Sequence, residues 1–261
     1  MKSLQELQRT WEGLAQQDPL WAICTDPAKQ NKRWSREEFF ATGKNEVGVV
    51  LRCVAGLGVS IDVKTPALDF GCGVGRLTRA LAEHFAECWG VDISPTMIAL
   101  AKEFNRDLPP CRFLLNERDR LEELQDNYFG FVYSSIVLQH MAERYIRKYL
   151  AELVRVLRRG GVLVFQLPDG FRGSAFIRVR ARVALRARLN FVLKKHGPRG
   201  MEMHCISEQA VRKLIEASGA QVVDVRLTNS SEPSFSGNLQ YLKEEPRSGF
   251  VSKQYCVVKG K

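Results

Sequence analysis

Three glycines at alternate positions, Gly71, Gly73 and Gly75, follow a short apolar run at 67–70 and precede Leu77, Ala80 and Leu81 at helical spacing. That order predicts a strand, a tight turn and a helix. Glycine is needed where the backbone enters positive φ, or where a ligand must come closer than a Cβ allows. The first N–H groups of the helix then face that ligand. A second apolar stretch, 88–91, ends in Asp92, 17 residues after Gly75. An acid at the end of a second strand commonly binds ribose hydroxyls. These residue types together point to a nucleotide-like ligand. In the dinucleotide pattern G-x-G-x-x-G the third glycine would fall at Arg76; this chain reads G-x-G-x-G, with Asp69 two residues ahead of it. Cys72, inside the turn, reads as a small buried residue rather than a nucleophile. Proton transfer points to two histidines: His140, which follows a strand whose end faces the ligand, and His204, just after an arginine-rich stretch.

These residues need a scaffold. Strands are predicted at about 66–70, 88–92, 111–115, 129–134 and 161–167, and helices at about 75–85, 95–105, 143–158 and 207–218. Ser94-Pro95 is a helix start, with serine as cap and proline in the first turn. Such alternation implies a parallel sheet covered on both faces. Ligands then sit beyond the carboxyl ends of the strands, where Asp69, Asp92, Asn116 and Ser134 fall. Two more strands are expected at 221–228 and 252–258, joined by a connection rich in Asn, Ser, Pro and Gly. Ahead of the first strand, Leu4, Leu7, Trp11 and Leu14 form a helical stripe that Asp18-Pro19 breaks. Ser35 and Glu38 have capping-box spacing, and a further helix is expected from about 46 to 56. Trp11, Trp21, Trp34, Phe39 and Phe40 are expected to pack these helices onto the sheet, with Trp34 and Phe40 also candidates to close over the ligand and its reaction partner.

Residues 66–76 resemble the first motif of class I S-adenosylmethionine-dependent methyltransferases, and Val91-Asp-Ile-Ser-Pro-Thr-Met97 is similar to the second. The resemblance implies a single α/β domain of Rossmann-like, doubly wound form. Its seven-stranded sheet is mostly parallel with an antiparallel last strand. It divides into an N-terminal helical cap (1–60), a cofactor core (61–167), a basic insertion after the fifth strand (168–206) and a C-terminal helix and hairpin (207–261). It implies S-adenosylmethionine as cofactor. Asp69 or the turn carbonyls would meet the ammonium, Asp92 both ribose hydroxyls, and Ile93 and Met97 the adenine. Asn116 or Glu117 stands where the family has an acid on the adenine amino group. Segment 129–141 resembles the motif after the fourth strand, with Gly130 where the family commonly has Asp. The segments 18–21 and 34–43 resemble the leading part of a bacterial group of such enzymes.

Methyl transfer from a sulfonium needs positioning and, for some acceptors, a base. The expected acceptor is a small molecule or a conjugate, anionic ones included, with methylation at O or N. Arg172 and His204 are candidate acceptor contacts. The chain has 261 residues and a net charge of +10; residues 168–203 hold nine Lys/Arg against Asp169 and Glu202, or +7, which leaves +3 elsewhere. This bias makes an RNA methyltransferase the alternative reading; a membrane-surface role and a non-catalytic cofactor-binding protein are others. No Asn-Pro-Pro-aromatic sequence follows the fourth strand. The seven scattered cysteines show neither a disulfide framework nor zinc spacing, and no metal site is expected. The lack of a signal-peptide pattern or apolar span points to the cytoplasm.

Overall fold

The computed structural model describes residues 3–173, 201–232 and 235–260. Three helices lead: α1 (Leu4–Gln17), α2 (Pro19–Ile23) and α3 (Arg36–Gly56). The core then alternates β1 (Ala67–Phe70), α4 (Arg76–Leu81), β2 (Cys88–Asp92), α5 (Pro95–Phe104), β3 (Cys111–Leu115) and β4 (Phe129–Ser134). It continues through α6 (Glu143–Val156), β5 (Leu157–Arg172), α7 (Glu208–Ala217), β6 (Ala220–Thr228) and β7 (Gly249–Lys259). The strands form one seven-stranded sheet in the order β3-β2-β1-β4-β5-β7-β6. β1 to β5 run parallel, and β7 is antiparallel to both β5 and β6. This is the Rossmann-like architecture the sequence predicts.

β1 and β4 are buried along their whole length, as strands covered on both faces must be. Side chains alternate between the two layers. Leu68, Phe70, Val132, Leu163 and Phe165 share one cluster with Ile146, Leu150 and Leu153 of α6 and with Val211 and Ile215 of α7. Ala67, Phe131, Tyr133, Val162 and Val164 pack with Val47, Val50 and Val54 of α3 and Leu77 and Leu81 of α4.

Two boundaries differ from expectation. Residues 36–56 form one helix rather than a capped turn followed by a second helix. Gly43 is a point of close approach, not an interruption: a Cβ there would overlap the Arg76 carbonyl and stand 2.9 Å from Arg76 Cγ. That approach lets Glu46 reach Arg76, Nη2 to Oε2 at 2.7 Å, with both side chains almost fully buried. β5 is also far longer than 161–167. Residues 168–172, expected at the start of the basic insertion, continue the strand and pair with β7 from Ser252 to Gly249. The Ser3–Glu6 and Ser35–Glu38 capping boxes both form, and Ser94 caps α5. No described helix is long and apolar enough to cross a membrane.

Candidate cofactor and acceptor cavity

The turn after β1 is drawn under β2. The N–H groups of Gly71 and Cys72 both donate to the Val91 carbonyl, at 2.8 and 3.0 Å. All three glycines have positive φ: 80° at Gly71, 54° at Gly73 and 84° at Gly75. Gly73 N–H donates to Asp92 Oδ2 and Ser94 N–H to Oδ1, each at 2.9 Å. Asp92 thus straps the glycine turn to the start of α5. Burial pushes its carboxyl above the usual range, against the lowering effect of these amides. A Cβ on Gly71 would overlap Val137 Cγ2, and one on Gly73 would overlap Ile23 Cδ1. The turn is therefore closed on one side by packing and open on the other to a cavity of about 230 Å³.

The opposite wall starts where β4 ends. Ile136 sits at φ 61°, a conformation a β-branched residue adopts only under constraint. Its N–H donates to Gln166 Oε1 at 3.3 Å. The short turn Leu138–His140 follows. His140 Nδ1 lies 2.9 Å from the Glu202 carbonyl. A carbonyl can only accept, so Nδ1 carries the proton, and Nε2 accepts from the Gln139 amide nitrogen at 3.2 Å. Gln139 Oε1 in turn accepts from Gln166 Nε2 and from the Ser231 hydroxyl, each at 3.0 Å. These two contacts are met together by the tautomer protonated on Nδ1. The Trp11 ring meets it edge-on at 5.3 Å.

α1 roofs the cavity with Leu7 and Trp11. Glu12 anchors that roof: its carboxylate accepts from the Ser94 hydroxyl at 2.6 Å, the Thr96 N–H at 3.2 Å and the Thr96 hydroxyl. Burial acts to raise the Glu12 carboxyl, but these bonds hold it below the usual range.

The cavity gathers Gly71, Cys72, Gly73, Asp92, Ile93, Met97, Asn116 and His140. The other sequence candidates lie elsewhere. Asp69 points under the turn: Oδ2 accepts from the Thr78 hydroxyl at 2.7 Å, and buried Oδ1 has no partner. Gly75 is walled off, since a Cβ there would stand 2.6 Å from Asn105 Nδ2. Ser134 is consumed by the Phe70 carbonyl at 3.0 Å. Glu117 is exposed and accepts from Gln8. Trp34 is core, its indole N–H on the Cys24 carbonyl at 3.1 Å, and Phe40 packs between Phe39 and Phe104. Arg172 pairs with Glu245 at 2.5 Å. His204 pairs with Glu202, and its N–H holds the Gln139 carbonyl at 2.7 Å. The arginine-rich stretch at 174–200 lies outside the described residues.

Sequence reasoning missed Met201, Met203, Ser230, Ser231, Phe235 and Phe250, which also line the cavity. Among the described residues no cluster of His, Cys, Asp and Glu could hold a metal ion.

Burial sets the Asp69 carboxyl at about 7, the Thr78 hydroxyl opposing it. A carboxyl raised on folding stabilises fully below its unfolded value, near 4, and loses that contribution as pH rises through about 7. Each unit separating the two values is worth about 1.4 kcal/mol. Asp69→Asn should therefore lose less stability than the parent between pH 5 and 8 in urea unfolding. Parallel curves would place the Asp69 titration at its unfolded value.

The glycine turn, the strapping acid and the sheet order give the chain a Rossmann-like methyltransferase fold. Residues 68–165 match the Methyltransferase domain family. The chain is 30% identical over 124 residues to a trans-aconitate 2-methyltransferase of Enterobacter sp. (strain 638), which covers 47% of this chain and 46% of that protein. It is 32% identical over 101 residues to a 2-methyl-6-phytyl-1,4-hydroquinone methyltransferase of Synechocystis sp., covering 38% and 31%. It thus spans less than half the length of these curated relatives. The fold superposes on magnesium protoporphyrin IX methyltransferase from Synechocystis PCC 6803 with a TM-score of 0.62, at 15% identity over 99% of this chain and 100% of that one.

Proposed function

We propose that the protein binds S-adenosylmethionine in this cavity and moves its methyl group to an O or N atom of a small-molecule or conjugated acceptor. The observation that carries this reading is the glycine turn strapped to Asp92 on one wall of a cavity whose other wall holds His140. Gly71 and Gly73 let the turn pack against Val137 and Ile23, where no Cβ fits, and so hold its shape at the cavity edge. Asp92, Ile93, Met97 and Asn116 would hold the nucleoside. Bound there, S-adenosylmethionine supplies an activated methyl on a positively charged sulfur. The protein's own part is to orient the two reactants and exclude water. Its relatives are named for a tricarboxylate and for a hydroquinone, so carboxylates and phenols are the first acceptors to try. Calorimetry with S-adenosylhomocysteine tests binding, and a labelled-methyl screen over those two classes tests transfer. Absence of S-adenosylhomocysteine binding to the folded protein refutes the reading.

His140 is the proposed base, through Nε2. That nitrogen must first give up the Gln139 amide, which puts its contribution at the low end of general-base catalysis. His140→Ala should lower kcat by about 10² and leave S-adenosylhomocysteine affinity within threefold. A loss of kcat smaller than threefold would mean that positioning alone carries the reaction.

A further inference from the structure

The connection from β6 to β7 brings a second polar group into the cavity that the cofactor reading does not use. Ser230 lines the cavity, is only 4% exposed, and its hydroxyl has no hydrogen-bond partner. A buried hydroxyl left unsatisfied costs free energy that a ligand's polar group can recover. Its backbone is tied down: Ser230 N–H donates to the Thr228 hydroxyl at 3.5 Å, and that hydroxyl lies 2.9 Å from Ser252 Oγ. Its neighbour Ser231 is tied to Gln139. The hydroxyl therefore sits on a held frame rather than a free loop.

The surroundings decide what it can bind. Met201, Met203, Phe235 and Phe250 also line the cavity with apolar surface, as does Trp11. Among the described residues, the ionisable groups lining the cavity are Arg76, Asp92, Glu232, His140, and Cys72 and Tyr149, whose protons burial holds on. Arg76 is neutralised by buried Glu46, and both Asp92 oxygens are taken by backbone amides. Glu232, two residues from Ser230, adds a negative charge. No described cation is left to compensate an anion here, and burying an uncompensated one is costly. Contacts from the two methionines and the aromatic rings favour a flat, polarisable body.

We propose that Ser230 is the polar contact of the acceptor subsite, and that the part of the acceptor entering the cavity is an uncharged aromatic group bearing a hydroxyl. This rests on the methyltransferase reading and narrows its acceptor class. The test uses the full chain saturated with S-adenosylhomocysteine and two probes of matched shape, 2-naphthol and 2-naphthoate, with binding read by calorimetry. The phenol should bind at least tenfold tighter than the carboxylate. Ser230→Ala should weaken the phenol about five- to tenfold without changing affinity for S-adenosylhomocysteine, which also reports that the variant is folded. Ser230→Thr, which keeps the hydroxyl, should recover at least half of that loss on a logarithmic scale. Equal or tighter binding of the carboxylate, no binding of either probe, or an unchanged phenol affinity in Ser230→Ala each overturns the proposal. Should S-adenosylhomocysteine itself fail to bind, the cofactor reading falls and this one with it.

Discussion

Gly71→Val should lower the affinity for S-adenosylhomocysteine about a thousandfold. Two costs add. Gly71 has a φ of 80°, where an L-residue costs about 1–2 kcal/mol and a β-branched one sits at the unfavourable end. The new Cβ would also overlap Val137 Cγ2 and stand 2.9 Å from Val137 Cβ. Val137 is β-branched and follows the strained Ile136, so it cannot swing aside cheaply. Overpacking of this kind costs about 1–3 kcal/mol. Together they make about 4 kcal/mol, where every 1.4 kcal/mol is tenfold in affinity. The turn would escape by moving away from Val137, into the cavity and off Asp92. Gly13→Ala is the control: a Cβ there meets nothing within 4 Å, and the position is helical. It should leave affinity unchanged. A folded Gly71→Val protein that binds within threefold of the parent would remove the turn from the cofactor site.

Glu46→Ala should be the most destabilising single change in the helical cap. Glu46 is 1% and Arg76 2% exposed. The carboxylate takes Arg76 Nη2 at 2.7 Å on one oxygen and the Tyr133 hydroxyl at 2.8 Å on the other. Arg76 Nε already lacks a partner. Without Glu46 the guanidinium is a buried charge held, among the described residues, only by the Thr42 hydroxyl at 3.3 Å. Removing one partner of a buried pair costs about 3–5 kcal/mol. For a chain of this size that lowers Tm by on the order of 10 °C. The double replacement Glu46→Leu with Arg76→Met removes both charges and should recover most of the loss. A Glu46→Ala protein within about 1 kcal/mol of the parent would mean that water reaches Arg76. Arg76 also lines the cavity, so cofactor affinity should fall with stability in the single variant and return in the double one.

Much of the site was legible because it is local. Gly71, Gly73 and Asp92 lie within a single β-α-β unit. The strand that ends at Phe70 and the Ser94 cap force their relative positions within about 25 residues. The buried strands read correctly for the same reason: a run such as 129–134, with both faces covered, needs no distant partner to explain its composition. Asp69 misled because a carboxylate two residues before a glycine turn has two directions available. Thr78, one turn into α4, takes it under the turn.

Gly43 shows how far sequence alone can determine such a chain. As a residue type it argues for a helix break. Only its contact with the Arg76 backbone shows that the helix continues and that the missing Cβ is what lets Glu46 reach Arg76. The serine side of the cavity is a stronger case. Ser230 and Ser231 are separated by roughly ninety residues from Gln139, and their stretch reads as an ordinary polar connection. The antiparallel pairing of β7 with both β5 and β6 carries it over the ends of β4 and β5. There Ser231 meets Gln139, and Gln139 fixes the tautomer of His140. Sequence by itself determined the sheet, the glycine turn and the acid that straps it, since periodicity and turn chemistry act over short spans. The tertiary structure decided which hydroxyl is left without a partner, which charges cancel and which ring nitrogen keeps its lone pair. Those depend on groups distant in the chain being packed within hydrogen-bonding distance.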